Sequence, residues 1–364
     1  MARPKSKRIV AAMSGGVDSS VSAALLKKEG FEVIGLTFRM WPKEECGSSS
    51  GRSCCNLEAV TRARAVAEGL GIAYYVVDFS EEFRKEVIDY FCWEYLRGNT
   101  PNPCVVCNEK IKFGHLLEKA VSLGASAVAT GHYANIGIDK KSGRYLLKEG
   151  KDGRKDQSYF LFRLSQEQLK RAVFPLGSLT KDRVRALAKK MKLITFNAVS
   201  SQDICFVQDL EYAEYIEKKT GAGIRAGDIV DKYGKVLGRH KGMPFYTIGQ
   251  RRGLGIAHKE PLYVTGIDIE KNRLIAGPRE EVMKKSLVAD RMNWIAIEGL
   301  SKPIKAMARI RYNHKKAKAL VTKIAADSVR VDFDEPQAAP TPGQAVVFYD
   351  KDVVIGGGWI KSAQ

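Results

Sequence analysis

The sequence has too few acidic residues to balance its basic ones. Its 364 residues include 41 Asp and Glu against 60 Lys and Arg, which leaves a formal net charge of +19. A field of this sign attracts polyanions, and nucleic acids are the most common of these. The shortage of acidic side chains therefore favours a nucleic-acid partner over the plainer alternative of a merely basic surface.

Long hydrophobic runs are also missing. No apolar stretch reaches the roughly 18 residues of a membrane-spanning helix, and the apolar segment at 9–13 is too short for a secretory signal. The hydrophobic fraction of 45% is nevertheless ample for buried cores. We therefore expect a cytoplasmic protein without a membrane partner, built from about two or three globular domains.

Cysteine is scarce and unevenly placed. The seven cysteines are an odd number, and none follows Cys205. In a cytoplasmic protein this argues against a structural disulfide framework and favours catalytic, redox or metal-binding thiols. We interpret Cys92, in the middle of a predicted helix, as a core residue. Cys46, Cys54 and Cys55 cluster in a Ser/Gly-rich loop, where a weak zinc site is an alternative.

The first 130 residues alternate between strand and helix patterns. Short apolar runs predict strands at 8–13, 31–38, 72–79 and 127–130, and helical spacing predicts helices ending near 28, 70, 96 and 123. Further helices are predicted at 165–173 and 182–190, the second with Thr180 as its N-cap. This alternation is typical of βαβ units, so we predict the α/β fold class with a Rossmann-like parallel sheet.

The texture changes after about residue 212, where frequent glycines and short alternating runs replace the helical patterns. Examples are the runs at 227–237, 262–267, 305–321 and 345–355. We predict a catalytic α/β domain at 1–212, a small central β domain at 213–280 and a second small β domain at 281–364.

A glycine-rich loop, Ser14-Gly15-Gly16-Val17-Asp18-Ser19-Ser20, lies where the first strand meets the first helix. Its glycines let the backbone approach an anion, and the helix start attracts phosphate. The serines add hydroxyl donors, and the aspartate either holds Mg²⁺ or orients the loop. No Walker A lysine follows. The loop resembles that of the PP-loop ATP pyrophosphatases, which implies that it holds the pyrophosphate side of ATP; a glycine turn with a capping aspartate is the alternative.

Two more residues are candidate nucleotide contacts because of where they stand. Met40 follows the second predicted strand and Gly131 follows the fourth. Open α/β sheets bind ligands beyond the carboxyl ends of their strands. Taken singly, a methionine is more often a core residue and a glycine more often part of a turn.

A Cys-x-x-Cys pair separates two predicted helices. Pro101 and Pro103 predict a loop here, which would present both Cys104 and Cys107 to solvent. Cys107 would lie near the start of the next helix, whose dipole favours thiolate. Such a pair suits redox, zinc or iron–sulfur chemistry, and Cys205 alone would more often be a core thiol.

Taken together, these motifs resemble the bacterial tRNA-specific 2-thiouridylases almost from end to end. The matching stretches are AMSGGVDSS from Ala12, TPNPC and VVCNEKIKF from Thr100, ATGHYA from Ala129, KDQSYFLF from Lys155, SQDICFV from Ser201 and YTIGQRRGLGI from Tyr246. The resemblance implies an enzyme that uses ATP and Mg²⁺ to adenylate the wobble uridine of tRNA. It also implies a terminal β-barrel that helps to hold tRNA, and a cysteine desulfurase or sulfur-relay protein as sulfur donor.

The resemblance also assigns residues. Cys107 matches the catalytic nucleophile, and Cys205 matches the cysteine that carries a persulfide and forms a transient disulfide. The positions that match the ATP site are Ala12, Met13, Ser14, Gly15, Gly16, Val17, Asp18, Ser19, Met40 and Gly131. The positions that match contacts to tRNA or its target base are Asn102, Pro103, Cys104, His132, Lys155, Asp156, Gln157, Arg311, Tyr312 and Gln344. Each of these, taken alone, would be an ordinary polar surface residue.

Cys104 departs from the family's pattern, which often has aspartate there, so any acid–base role of that aspartate is in doubt. The change creates three candidate ligands, Cys104, Cys107 and Cys205, for a [4Fe–4S] cluster with one open iron. A persulfide route and a cluster route therefore both stay open. Two other functions compete with 2-thiolation: an AMP-forming synthetase of the PP-loop type, and an iron–sulfur or redox RNA-binding protein without catalysis.

Overall fold

The structure is a computed structural model that describes residues 7–40, 57–198, 204–207 and 212–364. The part up to residue 198 alternates strands and helices. In chain order these are β1 (Arg8–Ala12), α1 (Val17–Lys28), β2 (Glu32–Arg39), α2 (Leu57–Leu70), β3 (Ala73–Asp78), α3 (Ser80–Phe83), α4 (Asp89–Leu96), α5 (Pro103–Val106), α6 (Leu116–Ser122), β4 (Ala127–Ala129), β5 (Ala134–Ile138), β6 (Tyr145–Glu149), α7 (Gln166–Arg171), β7 (Ala172–Val173) and α8 (Lys181–Lys190). Wider π-helical stretches, Arg84–Ile88 and Cys107–His115, connect α3 to α4 and α5 to α6. Across the described ranges, every helix is too short or too polar to cross a membrane.

A parallel sheet in the order β3-β2-β1-β4-β7 forms the centre of this part. Along β1, Ile9 and Ala11 belong to one hydrophobic cluster, whereas Val10 belongs to another. Successive side chains of a strand point to opposite faces, so both faces of the sheet are buried at β1. The strands β2 and β3 lie on one side of β1, and β4 and β7 lie on the other. The strand order therefore reverses between β1 and β4, and open parallel sheets bind ligands beyond the carboxyl ends of the strands at such a point.

The next part is a small sheet with one helix before it. Its elements are α9 (Tyr212–Thr220), β8 (Gly227–Val230), β9 (Val236–His240), β10 (Tyr263–Asp268), β11 (Arg273–Gly277) and α10 (Arg279–Val282), and its strand order is β10-β11-β8-β9. The predicted change to β structure is confirmed, but the sequence pattern did not predict α9. Its buried residues Ala213 and Ile216 are one turn apart, a repeat too brief to stand out from the alternating runs that follow.

The last part is a closed antiparallel barrel. Its strands are β12 (Met283–Trp294), β13 (Ile304–Arg309), β14 (Ala317–Ala325), β15 (Ser328–Ala338), β16 (Ala345–Asp350) and β17 (Val353–Ala363). They pair in the order β12-β15-β14-β13-β16-β17, and β12 also pairs with β17, which closes the barrel. The predicted fold class is confirmed, although the run at 305–321 is two strands with a turn between them. The domain limits at 212 and 280 stay predictions.

The parallel-sheet part and the barrel are joined by hydrogen bonds. The hairpin of β5 and β6, which the sequence analysis did not predict, continues the barrel sheet beyond β17. The Asn293 side chain donates to the carbonyl oxygens of Phe162 and Leu164 at 2.7 and 3.1 Å. Arg144 donates to the carbonyl oxygen of Ile295 at 2.9 Å. These bonds fix the barrel against the parallel-sheet part.

A buried ion pair lies at the same interface. The Asp156 side chain is 2% exposed and accepts a hydrogen bond from Arg309 at 3.1 Å. It also accepts the backbone N–H groups of Gly150 and Ser158 at 3.0 and 3.1 Å. Arg309 ends β13, so the pair connects the barrel to the turn that follows β6.

We expect Asp156→Asn to lower the free energy of unfolding by about 2 kcal/mol, because the partly buried Arg309 charge would lose its closest carboxylate and keep only Glu149 at 3.5 Å. Urea unfolding followed by circular dichroism measures the change. The exposed pair of Arg330 and Asp332 on the barrel is the matched control, and Asp332→Asn should cost less than about 1 kcal/mol. Equal losses in the two variants would contradict the structural role of Asp156.

Candidate active site

The glycine-rich loop turns the chain from β1 into α1. Gly15 has a φ of +71°, and a Cβ there would collide with the carbonyl oxygen of Ala59, so only glycine fits. Gly16 is the N-cap residue of α1, and within the described ranges no side chain caps this helix. Its first N–H groups and the positive end of its dipole are therefore available to a phosphate group.

Hydroxyl groups stabilise the loop from within. The Ser19 hydroxyl accepts the N–H of Ser14 and donates to the carbonyl oxygen of Gly16, both at 3.1 Å. The Ser20 hydroxyl donates to the same carbonyl oxygen at 2.8 Å. Ser19 and Ser20 thus donate within the loop itself, whereas Ser14 is exposed and its hydroxyl oxygen lies 3.3 Å from that of Ser19.

Asp18 is part of an ionic contact that orients the loop. Lys181 donates to both of its carboxylate oxygens at 2.6 Å, and the Tyr133 hydroxyl donates to one of them at 2.7 Å. Of the two roles left open by the sequence, these bonds favour orienting the loop over holding Mg²⁺. A Mg²⁺ ion that arrives with ATP would be held mainly by phosphate oxygens and water, as is usual for this ion.

The sequence analysis missed Lys181. It is 163 residues from Asp18, and its only local signal is its place after Thr180, the confirmed N-cap of α8. We expect Lys181→Met to raise the KM for ATP about tenfold or more, because Asp18 would lose a charge-assisted hydrogen bond. Pyrophosphate release at varied ATP concentration measures this. Lys190→Met, at the exposed end of the same helix, is the control, and an unchanged KM in the Lys181 variant would refute the assignment.

The other nucleotide candidates differ in their surroundings. Gly131 packs against the loop, and a Cβ there would lie 2.9 Å from the backbone nitrogen of Ser19. Glycine is therefore needed for β4 to end so close to the loop. Met40 is buried in the core, which is the more usual place for a methionine side chain. A contact between its backbone and the adenine stays a prediction.

The structure corrects the prediction that the Cys-x-x-Cys pair lies in a loop. Pro103 stands in the first turn of α5, where its missing N–H is not needed. The Asn102 side chain caps this helix by accepting the N–H of Val105 at 3.4 Å. Cys104 is exposed, but Cys107 is only 9% exposed and belongs to the core. The expectation that both thiols face solvent is therefore wrong for Cys107.

Cys205 packs against the hydrophobic cluster that contains Cys107. Its neighbour Phe206 makes edge-to-face contacts with Phe83 and Phe91, at ring-centroid distances of 5.8 and 5.0 Å. These rings anchor the segment that carries Cys205. Cys107 begins the π-helical stretch Cys107–His115, and such wide turns are frequent at functional sites. The two predicted cysteines thus pack on one cluster.

The remaining cysteines are placed as follows. Cys92 is a core residue, as predicted, and burial raises the pKa of its thiol to about 11. Cys46, Cys54 and Cys55 lie outside the described residues. In the part of the chain that the structure describes, no three His, Cys, Asp or Glu side chains form a group that could hold a metal ion.

The candidate tRNA contacts after His132 differ in exposure and in the parts of the chain that they contact. Lys155 is exposed, whereas Asp156 forms the buried ion pair described above. Arg311 donates to the carbonyl oxygens of Ile248 in the central part and Ala339 in the barrel, at 3.0 and 3.1 Å. Three more are partly buried, namely Gln157, Tyr312 and Gln344. Contact with RNA stays a prediction for all of them.

His132 is a buried, neutral imidazole. Its Nδ1 lies 2.7 Å from the Thr130 hydroxyl, and its ring packs edge-to-face on Phe174 at 5.8 Å. Burial, together with the nearby positive charge of Lys112, lowers the pKa of His132 well below its ordinary value. It is therefore uncharged at neutral pH and would meet RNA as a hydrogen-bonding group.

The stability of the protein should reflect this pKa. Below about pH 6.5 the unfolded chain takes up a proton on His132 that the folded chain does not, so stability falls as the pH falls. Between about pH 7.5 and 5.5 this amounts to about 1.4 kcal/mol. We expect His132→Asn to remove that part of the pH dependence in urea unfolding, and identical pH slopes for both proteins would contradict a neutral His132.

Three protein-family models together match nearly the whole chain. Residues 7–209 match the family model of the tRNA methyl transferase HUP domain, residues 213–278 match that of the tRNA methyl transferase PRC-barrel domain, and residues 284–360 match that of the aminomethyltransferase beta-barrel domain.

Named relatives match over nearly the same span. The tRNA-specific 2-thiouridylase MnmA 2 of Thermoanaerobacter pseudethanolicus is 51% identical over 97% of this chain and 98% of its own length. The tRNA-specific 2-thiouridylase MnmA of Geobacter metallireducens is 52% identical over 98% of this chain and 97% of its own length. That of Clostridioides difficile is 46% identical over 98% and 99%, respectively. With the glycine-rich loop and the cysteines in the positions described, the chain belongs to the family of tRNA-specific 2-thiouridylases.

Proposed function

We propose that the protein is a cytoplasmic, ATP-dependent tRNA-uridine 2-sulfurtransferase that forms 2-thiouridine at the wobble position of the anticodon. The observation that carries this is the combination of a glycine-rich turn from β1 into the start of α1, where none of the described side chains caps the helix, with Cys107 and Cys205 on one hydrophobic cluster. The net charge of +19 suits a polyanionic substrate such as tRNA.

The first step makes the C2 oxygen of the uridine a good leaving group. That oxygen attacks the α-phosphorus of ATP, the bond to the β-phosphate breaks, and pyrophosphate leaves. The N–H groups of Gly15 and Gly16 would stabilise the charge that develops on the phosphates. Bound Mg²⁺ would supply further positive charge to the same oxygens. The target base would have to leave the anticodon stack, at a cost of a few kcal/mol.

The second step brings in sulfur. A cysteine desulfurase or relay protein leaves one sulfur on Cys205 as a persulfide. The Cys107 thiolate attacks the Sγ of Cys205, the persulfide bond breaks, and the released hydrosulfide attacks C2 and displaces AMP. One sulfur is thereby reduced to sulfide while two thiols are oxidised to a disulfide. A thiol reductant returns both cysteines to thiols before the next cycle.

The cluster route is the alternative proposal. It needs Cys104, Cys107 and Cys205 as iron ligands, and neither Cys107 nor Cys205 would then become a persulfide. Among the described residues these three cysteines form no ligand group, and the exposed Cys104 and the buried Cys107 differ in surroundings. We therefore favour the persulfide route.

The experiment uses metal-stripped enzyme, unmodified tRNA, Mg-ATP, a thiol reductant and a persulfide-charged donor, with nucleoside mass spectrometry as readout. We expect 2-thiouridine without iron. Product that forms only after anaerobic cluster reconstitution would establish the cluster route instead. Pyrophosphate release that needs no tRNA, with no thiolated nucleoside, would favour a small-molecule synthetase.

A further inference from the structure

A short segment of the barrel holds the chain just before the reactive cysteines. Residues 342–344, which we call the barrel clamp, precede β16 and contact Thr100 and Pro101. The N–H of Thr100 donates to the carbonyl oxygen of Pro342 at 2.8 Å. The Gln344 side chain donates to the carbonyl oxygens of Thr100 and Pro101 at 2.9 and 3.2 Å. The barrel clamp thus hydrogen-bonds three backbone groups of the parallel-sheet part, namely the N–H of Thr100 and the carbonyl groups of Thr100 and Pro101.

The barrel clamp depends on a glycine. Gly343 has a φ of +87°, and a Cβ there would lie 3.0 Å from the backbone nitrogen and oxygen of Thr100. Other residues rarely adopt this backbone conformation. The close approach of the barrel clamp to Thr100 therefore requires glycine at position 343.

The clamp is tied into the rest of the structure on its own side. Just before it, the Thr341 hydroxyl accepts a hydrogen bond from Arg311, which also donates to the carbonyl oxygen of Ile248 in the central part. Just after it, the carbonyl oxygen of Ala345 accepts the fully buried hydroxyl of Tyr159 at 2.9 Å. A segment anchored at both ends is suited to hold its neighbour in place.

The neighbour it holds is the start of the helix with the cysteines. Pro101 is followed by Asn102, whose side chain caps α5. Cys104 lies in α5, and Cys107 lies one turn further in the continuous helical segment. On the other side, the Asn108 amide donates to the carbonyl oxygen of Phe160 at 3.1 Å. The position of Cys107 therefore follows from that of the helix start.

We infer that Gln344 is a positioning residue for sulfur transfer, which fixes the helix start and through it the reactive thiol of Cys107. The inference rests on the proposed function. A glutamine amide has two N–H groups, and the carbonyl oxygens of Thr100 and Pro101 accept from this nitrogen. The resemblance to the family implies a tRNA contact instead, for which mainly the amide oxygen would be left.

The test compares Gln344→Met, which keeps the size of the side chain but removes its N–H groups, with Gln337→Met. Gln337 is a buried barrel glutamine whose amide donates to the carbonyl oxygen of Glu335 at 2.7 Å. We expect Gln344→Met to lower kcat for 2-thiouridine formation about five- to tenfold, with the Kd for tRNA within about twofold of the wild type. Gln344→Lys keeps N–H donors and should recover most of the rate.

A second readout needs no tRNA. Because Cys107 is buried, a loosened helix start should speed its alkylation by iodoacetamide, measured by peptide mass spectrometry, about threefold or more. Alkylation unchanged by Gln344→Met, with a Kd for tRNA weakened tenfold or more, would overturn the inference and make Gln344 an RNA contact. If the wild-type enzyme forms no 2-thiouridine the proposed function fails, whereas the alkylation rate still decides whether Gln344 positions Cys107.

Discussion

Cys107→Ser is expected to lower 2-thiouridine formation about a thousandfold or more, with the affinity for ATP unchanged. A serine hydroxyl is a far weaker nucleophile than a thiolate and forms no disulfide with Cys205. Tritiated or mass-labelled tRNA, digested to nucleosides, gives the rate over this range. Cys205→Ser should be equally inactive, because the other described cysteine on the hydrophobic cluster that contains Cys107 is Cys92, which is buried and whose thiol pKa burial raises to about 11.

Two other cysteines serve as controls for this result. Cys92→Ala removes a buried core thiol and should cost stability but little activity per folded molecule. Cys104→Ser changes an exposed thiol, and the persulfide route predicts a rate within about threefold of the wild type, less than about 1 kcal/mol in the barrier. A Cys104 variant as inactive as Cys107→Ser would contradict the persulfide route and support three cysteine ligands.

Gly15→Ala is expected to slow the ATP-dependent chemistry about a hundredfold or more while the protein stays folded. The new Cβ would collide with the carbonyl oxygen of Ala59 at a φ of +71°, so the loop must leave its phosphate-binding shape. A displacement of this kind at a catalytic site costs about a hundredfold in rate or more. Pyrophosphate release and the Kd for ATP measure the loss.

Gly30→Ala is the matched control for that experiment. Gly30 also has a positive φ, of +85°, but within the described part of the chain no heavy atom other than those of its chain neighbours lies within 4 Å of the position its Cβ would take. The strain alone should cost about 1–2 kcal/mol of stability without changing the affinity for ATP. If Gly15→Ala binds ATP as the wild type does, the loop does not hold the phosphates.

The sequence predicted those features of the structure that are encoded by contiguous residues. The loop from Ser14 to Ser20 is one short stretch between its own strand and helix, so the turn from β1 into α1 could be predicted from it. Lys181 was not, because it meets Asp18 only through the packing of α8 against α1. Pro103 was misread for a local reason: a proline indicates either a loop or the first turn of a helix, and the capping side chain of Asn102 decides for the helix.

The residues after 300 show a second limit. Arg311 and Gln344 stand in polar stretches of a basic chain, where contact with RNA is the natural expectation. In the structure Nη2 of Arg311 donates to the carbonyl oxygens of Ile248 in the central part and Ala339 in the barrel, and the Gln344 amide donates to those of Thr100 and Pro101. Contacts between segments more than 200 residues apart, such as Gln344 with Thr100 (separation 244), carry no signal in local spacing. Only the assembled fold shows that these side chains hold the parts together.

The most direct measurement follows the oxygen that sulfur replaces. A tRNA whose target uridine carries oxygen-18 at C2 is incubated with the enzyme, Mg-ATP, a thiol reductant and the persulfide-charged donor, and the released AMP is analysed by mass spectrometry. Adenylation of the C2 oxygen predicts that AMP carries one oxygen-18 for each 2-thiouridine formed. Unlabelled AMP, with the heavy oxygen recovered in water, would contradict adenylation of the base and require a different role for the ATP site.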